Sequence, residues 1–137
     1  MTRTLRVLGA VTVGYSVAII AVPKLLAGPC RMTDPTGSTP TPVATLIRAV
    51  GARDTAIGLA MMTAPPGLGL GVATACRVGS DLGDTVAFGV GLPDASTKLK
   101  IAGFAAAFAA VNAVALARSP ESAAALAALL PGSGGRR

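Results

Sequence analysis

Six ionisable side chains interrupt two otherwise apolar stretches, and they restrict the fold more than any other feature of the chain. Arg48, Arg53 and Asp54 lie within LIRAVGARDTAIGLAMMTA, residues 46–64. Arg77, Asp81 and Asp84 lie within GVATACRVGSDLGDTVAFGV, residues 71–90. Isolated in hydrocarbon, each charge costs about 2.5–3.5 kcal/mol on an insertion scale, so six cost on the order of 15–20 kcal/mol. A whole domain has only about 5–15 kcal/mol of stability to lose. The groups must therefore pair, face an interior, or reach a water-filled cavity. Three arginines stand against three aspartates, so pairing between the two stretches can be complete.

Lipid is the expected solvent. Charged residues make up 13% of the 137, hydrophobic residues 52%, and the mean hydropathy is +0.66; soluble domains carry about 25% charged residues. Four segments of near-bilayer length follow from the breakers, each close to the roughly 20 residues a span needs. The first helix covers about residues 5–26, introduced by Arg3 and Arg6 and closed near Pro23 and Lys24. TDPTGSTPTP, residues 33–42, is a loop: proline fixes φ and withholds a donor, and glycine relaxes the chain. The second helix covers about 43–63 and stops at Pro65-Pro66-Gly67; the third, about 68–90, stops at GLPD; the fourth, about 97–117, stops at Arg118 and Pro120. The expected architecture is all-α, a four-helix transmembrane bundle over residues 1–120. Residues 121–137 are expected to be a short amphipathic segment, on the membrane or extending the last helix, and a disordered tail, PGSGGRR. LAGPC superficially suggests a lipoprotein cleavage box, but Pro29 fits it poorly, and the first helix reads as a retained span. Basic residues at both ends (Arg3, Arg6, Arg118, Arg136, Arg137) place both termini at the cytoplasmic face of a multi-pass cell-membrane protein.

Helical periodicity sorts the charges. At about 100° per residue, Arg77, Asp81 and Asp84 fall within roughly 60° of one another, with Thr74 and Phe88 on the same stripe. The back of that helix carries Gly79 and Gly83, a spacing that permits close helix approach. On the second helix Arg48 shares a face with Gly51, Thr55, Gly58 and Met62, Asp54 lies beside the glycines, and Arg53 points elsewhere. The expected pairings are Asp54 with Arg77, and Arg48 or Arg53 with Asp81 or Asp84. Two carboxylates three residues apart in low dielectric resist joint ionisation, so one of Asp81 and Asp84 can hold a proton and act as a general acid. Ion pairs that only fix helix register are the competing explanation of the same residues. Asn112 is expected to bond between helices, Lys98 and Lys100 to anchor at the interface, and Tyr15 and Met61-Met62 to pack.

Several chemistries are excluded or disfavoured. The chain has no histidine, which removes His-based catalysis and a haem-ligating imidazole, and no metal site or cofactor is expected. Cys30 falls in a loop and Cys76 in a helix, a depth mismatch that argues against a disulfide. The net charge of +6 does not indicate nucleic acid, because the basic residues are scattered and no aromatic platform accompanies them. GLGLG at 67–71 has the wrong spacing and no preceding strand for a dinucleotide site.

At GARD, residues 51–54, the sequence resembles a family of small bacterial four-helix membrane proteins of unknown function related to the DoxX-like group. The features that carry it are the first helix ending at Pro23, VGARD in the second helix, and Asp84 late in the third. The resemblance spans about residues 5–117 and implies a four-helix membrane fold.

The expected function is a cofactor-free acid–base enzyme acting on a lipophilic, isoprenoid-like molecule by epoxide opening, cyclisation or isomerisation. Asp54, Asp81 and Asp84 are the candidate catalytic groups, with Arg48, Arg53 and Arg77 as substrate-binding or ion-pair partners. A non-catalytic membrane subunit or scaffold and a proton-linked small transporter are the alternatives. Membrane lipid is the expected surrounding, and self-association or a membrane partner stays open.

Overall fold

A computed structural model describes residues 2–129 as six helices, with no strand among them. They are α1 (Thr2–Ala21), α2 (Lys24–Ala27), α3 (Thr41–Thr63), α4 (Leu68–Gly91), α5 (Ala95–Ala117) and α6 (Pro120–Ala127). The tail expected to be disordered lies outside the described residues.

Each boundary has a local cause. α1 starts earlier than the expected residue 5 and stops at Ala21 rather than running to 26, because Pro23 lacks the N–H that the next turn needs. The chain restarts as the single turn of α2. α3 opens on Pro40 and Pro42, whose missing donors fall where no intrahelical partner exists. It closes one residue before Ala64, ahead of the Pro65-Pro66 pair. α4 follows Gly67, whose φ of +88° disfavours any side chain. Asp94 caps α5 by accepting the Thr97 amide at 2.9 Å.

The long helices pack as two antiparallel pairs, α1 with α3 and α4 with α5, joined through α3 and α4. Glycine sets the approach of the first pair: a methyl added at Gly58 would fall 2.8 Å from the Gly9 carbonyl oxygen and 2.8 Å from Val13 Cγ2. Gly79 and Gly83, expected to form a close contact, have nothing within 4 Å of an added methyl. The close approach therefore belongs to α1 and α3, and the back of α4 is open. α6 neither extends α5 nor stands free. It folds back on α4, where a methyl at Gly71 would lie 2.8 Å from the Ser122 carbonyl oxygen.

Two small apolar cores sit toward opposite ends. Leu5, Met61, Leu70, Ala73 and Ala115 form one, and Ile19, Ala27 and Ile47 the other. Leu5 and Ile19 are separated along α1 by about 21 Å at 1.5 Å per residue. The ionisable residues lie between these cores.

α1 and α5 are long and apolar enough to cross a membrane. α3 and α4, at 23 and 24 residues, have the length but carry three charges each.

Candidate functional site

Two arginines and three aspartates form one continuous network between α3 and α4. Arg53 on α3 grips Asp84 on α4 as a fork, Nη1 donating to Oδ1 at 3.2 Å and Nη2 to Oδ2 at 2.7 Å. Its Nε donates to Asp54 Oδ1 at 2.8 Å. Asp54 Oδ2 in turn meets Arg77 Nη1 at 3.0 Å. Arg77 then grips Asp81, one turn on along α4, through Nε at 3.0 Å and through Nη2. The order is Asp84, Arg53, Asp54, Arg77, Asp81, with alternating sign at every step. Planar guanidinium forks matched to carboxylates are the strongest geometry for such pairs.

Local sequence explains the arrangement. Arg77, Asp81 and Asp84 share a stripe of α4 through their four- and three-residue spacing. Arg53 and Asp54 are adjacent and so diverge by about 100°. Arg53 joins the network because its long stem folds back toward Asp54 and reaches across to α4.

The expected Asp54–Arg77 pair is present, and of the two candidates for the second pair the structure selects Arg53 with Asp84. Arg48 does not belong. Its Nε donates to the Ile20 carbonyl at 3.3 Å, near the end of α1, where the last carbonyls lack helical partners. Arg6 does the same for α3, donating to the carbonyls of Met62 and Ala64. These arginines serve helix ends, a role that helical periodicity does not reveal.

Removing Arg48 changes the electrostatics. Three carboxylates now face two guanidiniums, so the fully ionised network carries one uncompensated negative charge. Asp81 and Asp84 do not bond to each other; each is held by its own arginine. Asp81 and Arg77 are the most enclosed members, with side chains 5% and 4% exposed, and Asp84 is the most open carboxylate at 17%.

A cavity of about 440 Å³ lies against the network. That volume is within the range of roughly 300–1,000 Å³ typical of small-molecule sites. Asp54, Arg77, Asp81 and Asp84 line its charged part; the rest is mainly apolar side chains from α1, α2 and α5, with Val50 of α3, Phe88 of α4 and the hydroxyls of Thr12 and Ser16. Val11, Tyr15, Leu25 and Phe104 are lining residues that keep about half or more of their surface accessible. They mark a lateral mouth between α1 and α5, which touch only sparsely.

Every aromatic residue of the chain lines this cavity: Tyr15, Phe88, Phe104 and Phe108. Phe104 and Phe108 stack with centroids 6.4 Å apart, and the Arg77 guanidinium lies 5.9 Å from the Phe108 centroid. Tyr15, expected to pack, is thus a cavity residue, and Phe104 and Phe108 join it there. The signal was available, since Ile101, Phe104 and Phe108 recur at helical spacing on α5, as do Val11, Tyr15 and Ile19 on α1. Asn112 bonds within its own helix, Nδ2 donating to the Phe108 carbonyl at 2.9 Å, rather than between helices. Both cysteines are free, Cys30 buried and Cys76 exposed; burial pushes the Cys30 thiol above its ordinary range.

Comparison of the chain with protein-family models, with curated proteins and with solved structures gives no match.

Proposed function

We propose that the chain is a four-helix transmembrane protein whose cavity binds a lipophilic, isoprenoid-like molecule and delivers a proton to it without a cofactor. α1 and α5 have the length and apolarity of spans, and α3 and α4 match them in length while turning their network charges inward. The outward surface carries Leu46, Val86, Val90, Leu99 and Phe104, all more than half exposed, as a lipid-facing surface requires. Four spans return the chain to its starting side, and Arg3, Arg6 and Arg118 favour the cytoplasm for both ends. The VGARD resemblance to DoxX-like proteins fits the same reading.

The observation that carries the proposal is the uncompensated charge at the wall of a laterally open apolar cavity. In surroundings of low dielectric, a proton is the simplest counter-charge. Groups coupled this closely titrate as a unit, so the proton belongs to the network rather than to one residue. Asp84 is the exit point, being the carboxylate most open to the cavity. When its O–H bond breaks, the Arg53 fork receives the carboxylate in the geometry already described. Proton transfer and ion-pair formation thus occur together.

For an epoxide, the proton goes to the ring oxygen, a C–O bond breaks, and positive charge develops on carbon. The faces of Tyr15, Phe88, Phe104 and Phe108 stabilise such a cation through their negative quadrupole. Capture by an internal double bond followed by loss of a proton to the network gives cyclisation and restores the acid. Loss of a proton alone gives isomerisation.

The test compares lipid-soluble metabolites from cells lacking the gene, complemented with wild type or with Asp84→Asn at equal membrane levels. Asparagine keeps size and hydrogen bonding but delivers no carboxylic proton. Accumulation of the same lipophilic precursor in the deletion and the variant supports the proposal. A wild-type profile from Asp84→Asn refutes it and leaves the network a latch between α3 and α4.

A further inference from the structure

The site has features that a proton donor alone does not need. Ser16, on α1, is fully buried, lines the cavity, and its Oγ has no hydrogen-bond partner. This sets it apart from the other helix-interior hydroxyls around the site. Thr12, Thr55, Thr74 and Thr85 each donate to the carbonyl four residues earlier, satisfying their own hydroxyls. An unpaired buried hydroxyl costs about 1–3 kcal/mol, so a donor admitted to Ser16 from the cavity gains a bond that the surrounding protein groups do not supply. The Asp84 oxygens each take one guanidinium N–H and keep further acceptor capacity. Acceptor atoms, an excess negative charge and four aromatic rings therefore surround one apolar volume.

A protonated amine on a lipophilic body satisfies all of these at once. Its charge matches the network's excess, its N–H groups donate to Ser16 Oγ and to Asp84, and its body is buried against the rings. The same charge distribution resembles the cationic carbon of the proposed reaction, and mimics of such states bind tightly. We infer that the cavity takes up lipophilic amines in their protonated form, one per network, each displacing the network's proton. This rests on the proton-bearing network proposed above.

The exchange fixes a sign. Ammonium and proton compete for one negative charge, so raising the pH removes the competitor and strengthens binding. A one-for-one exchange changes affinity by about tenfold per pH unit while the amine itself stays charged. The titratable or charged groups facing the site are Tyr15 from α1, Arg53 and Asp54 from α3, and Arg77, Asp81 and Asp84 from α4. α2 and α5 line it with apolar side chains only.

The experiment uses the full chain in vesicles of zwitterionic lipid, with protein-free vesicles as the partition control. Tyr15 is the only tyrosine and there is no tryptophan, so its emission reports on the cavity directly. The probes are dodecylamine, the alcohol of equal chain length, and dodecyltrimethylammonium. The expected result is amine binding at least about tenfold tighter than alcohol, with affinity rising about tenfold per pH unit near neutrality. Asp84→Asn leaves two carboxylates facing two guanidiniums and should abolish both the preference and the pH slope. Ser16→Ala keeps the charge and should weaken the amine several-fold while sparing the quaternary probe, which has no N–H.

Equal binding of amine and alcohol to wild type overturns the inference and leaves the lipophilic cavity and its acid standing. Amine preference without a pH slope overturns the exchange and the held proton together. Both comparisons use the unaltered protein, so they decide the matter even where a variant fails to fold.

Discussion

Neutralising Arg77 should destabilise the protein far more than neutralising Arg53, although both link the same network. Arg77 is 4% exposed and serves two carboxylates, Asp54 Oδ2 and both oxygens of Asp81. Replacing it by glutamine leaves Asp81 without its only guanidinium in a nearly closed site. Breaking a buried ion pair from one side costs about 3–5 kcal/mol, because the remaining charge is stranded. The contact with Phe108 is lost as well. Arg53 also serves two carboxylates, but its side chain is 38% exposed. Asp54 keeps Arg77 when Arg53 is lost, so only Asp84 is stranded, the most open of the three carboxylates, which brings the cost of Arg53→Gln below about 3 kcal/mol. A further change tests the cause. Arg77→Gln combined with Asp81→Asn removes both the guanidinium and the stranded charge, and should be more stable than Arg77→Gln alone by roughly 1–3 kcal/mol. Equilibrium unfolding in mixed micelles, followed by helical circular dichroism, measures all of these. Equal costs for the two arginines, or no recovery in the double variant, would refute the account of the network as a chain of enclosed and open pairs.

Two further predictions concern packing and pH. Gly58→Ala pushes a methyl into the α1 backbone and should destabilise by about 1–3 kcal/mol, the usual cost of overpacking. Gly79→Ala meets open space and should be neutral or stabilising by up to about 1 kcal/mol through helix propensity. The same unfolding assay compares them, and a larger loss at Gly79 would contradict the assigned contact. At the start of α5, the Thr97 amide and the Ser96 and Thr97 hydroxyls, with Arg31 nearby, hold the Asp94 carboxyl well below its ordinary range. A lowered folded-state value means that its contribution is complete above the unfolded value of about 3.9 and is lost as pH falls below it. Thermal midpoints should therefore drop in acid. Asp94→Ala should lower the midpoint at neutral pH and flatten the acid limb; an unchanged acid limb would show that the cap does not titrate.

The helices were legible because their punctuation is strong. Pro65-Pro66-Gly67 and the GLPD turn mark ends that periodicity alone leaves loose, and α3, α4 and α5 follow them within two residues. The end of α1 is less sharp in the sequence, because apolar residues continue past Pro23 although it withholds the donor that the next turn needs. Within the site, the α4 stripe was legible because spacings of three and four residues fix side chains on one face. Arg48 and Arg53 could not be separated that way. Which one reaches α4 depends on where the α1 carbonyls end, a tertiary fact that also changes the charge count. Gly79 and Gly83 show the same limit, because a small-residue spacing permits contact without saying which helix makes it. Ser16 was invisible, since its missing partner exists only in three dimensions.

The central claim is that the five-member network holds one proton that leaves through Asp84. Infrared spectroscopy of the full chain in lipid at neutral pH, with and without carboxyl-labelled aspartate, tests it most directly. A protonated carboxyl has a carbonyl stretch that a carboxylate lacks, and the aspartate label assigns it. The account predicts one such band in the wild type, shifted by the label, and its disappearance in Asp84→Asn, whose network is neutral without a proton. A wild-type spectrum containing only carboxylate bands, or a carboxyl band that survives in Asp84→Asn, would contradict it.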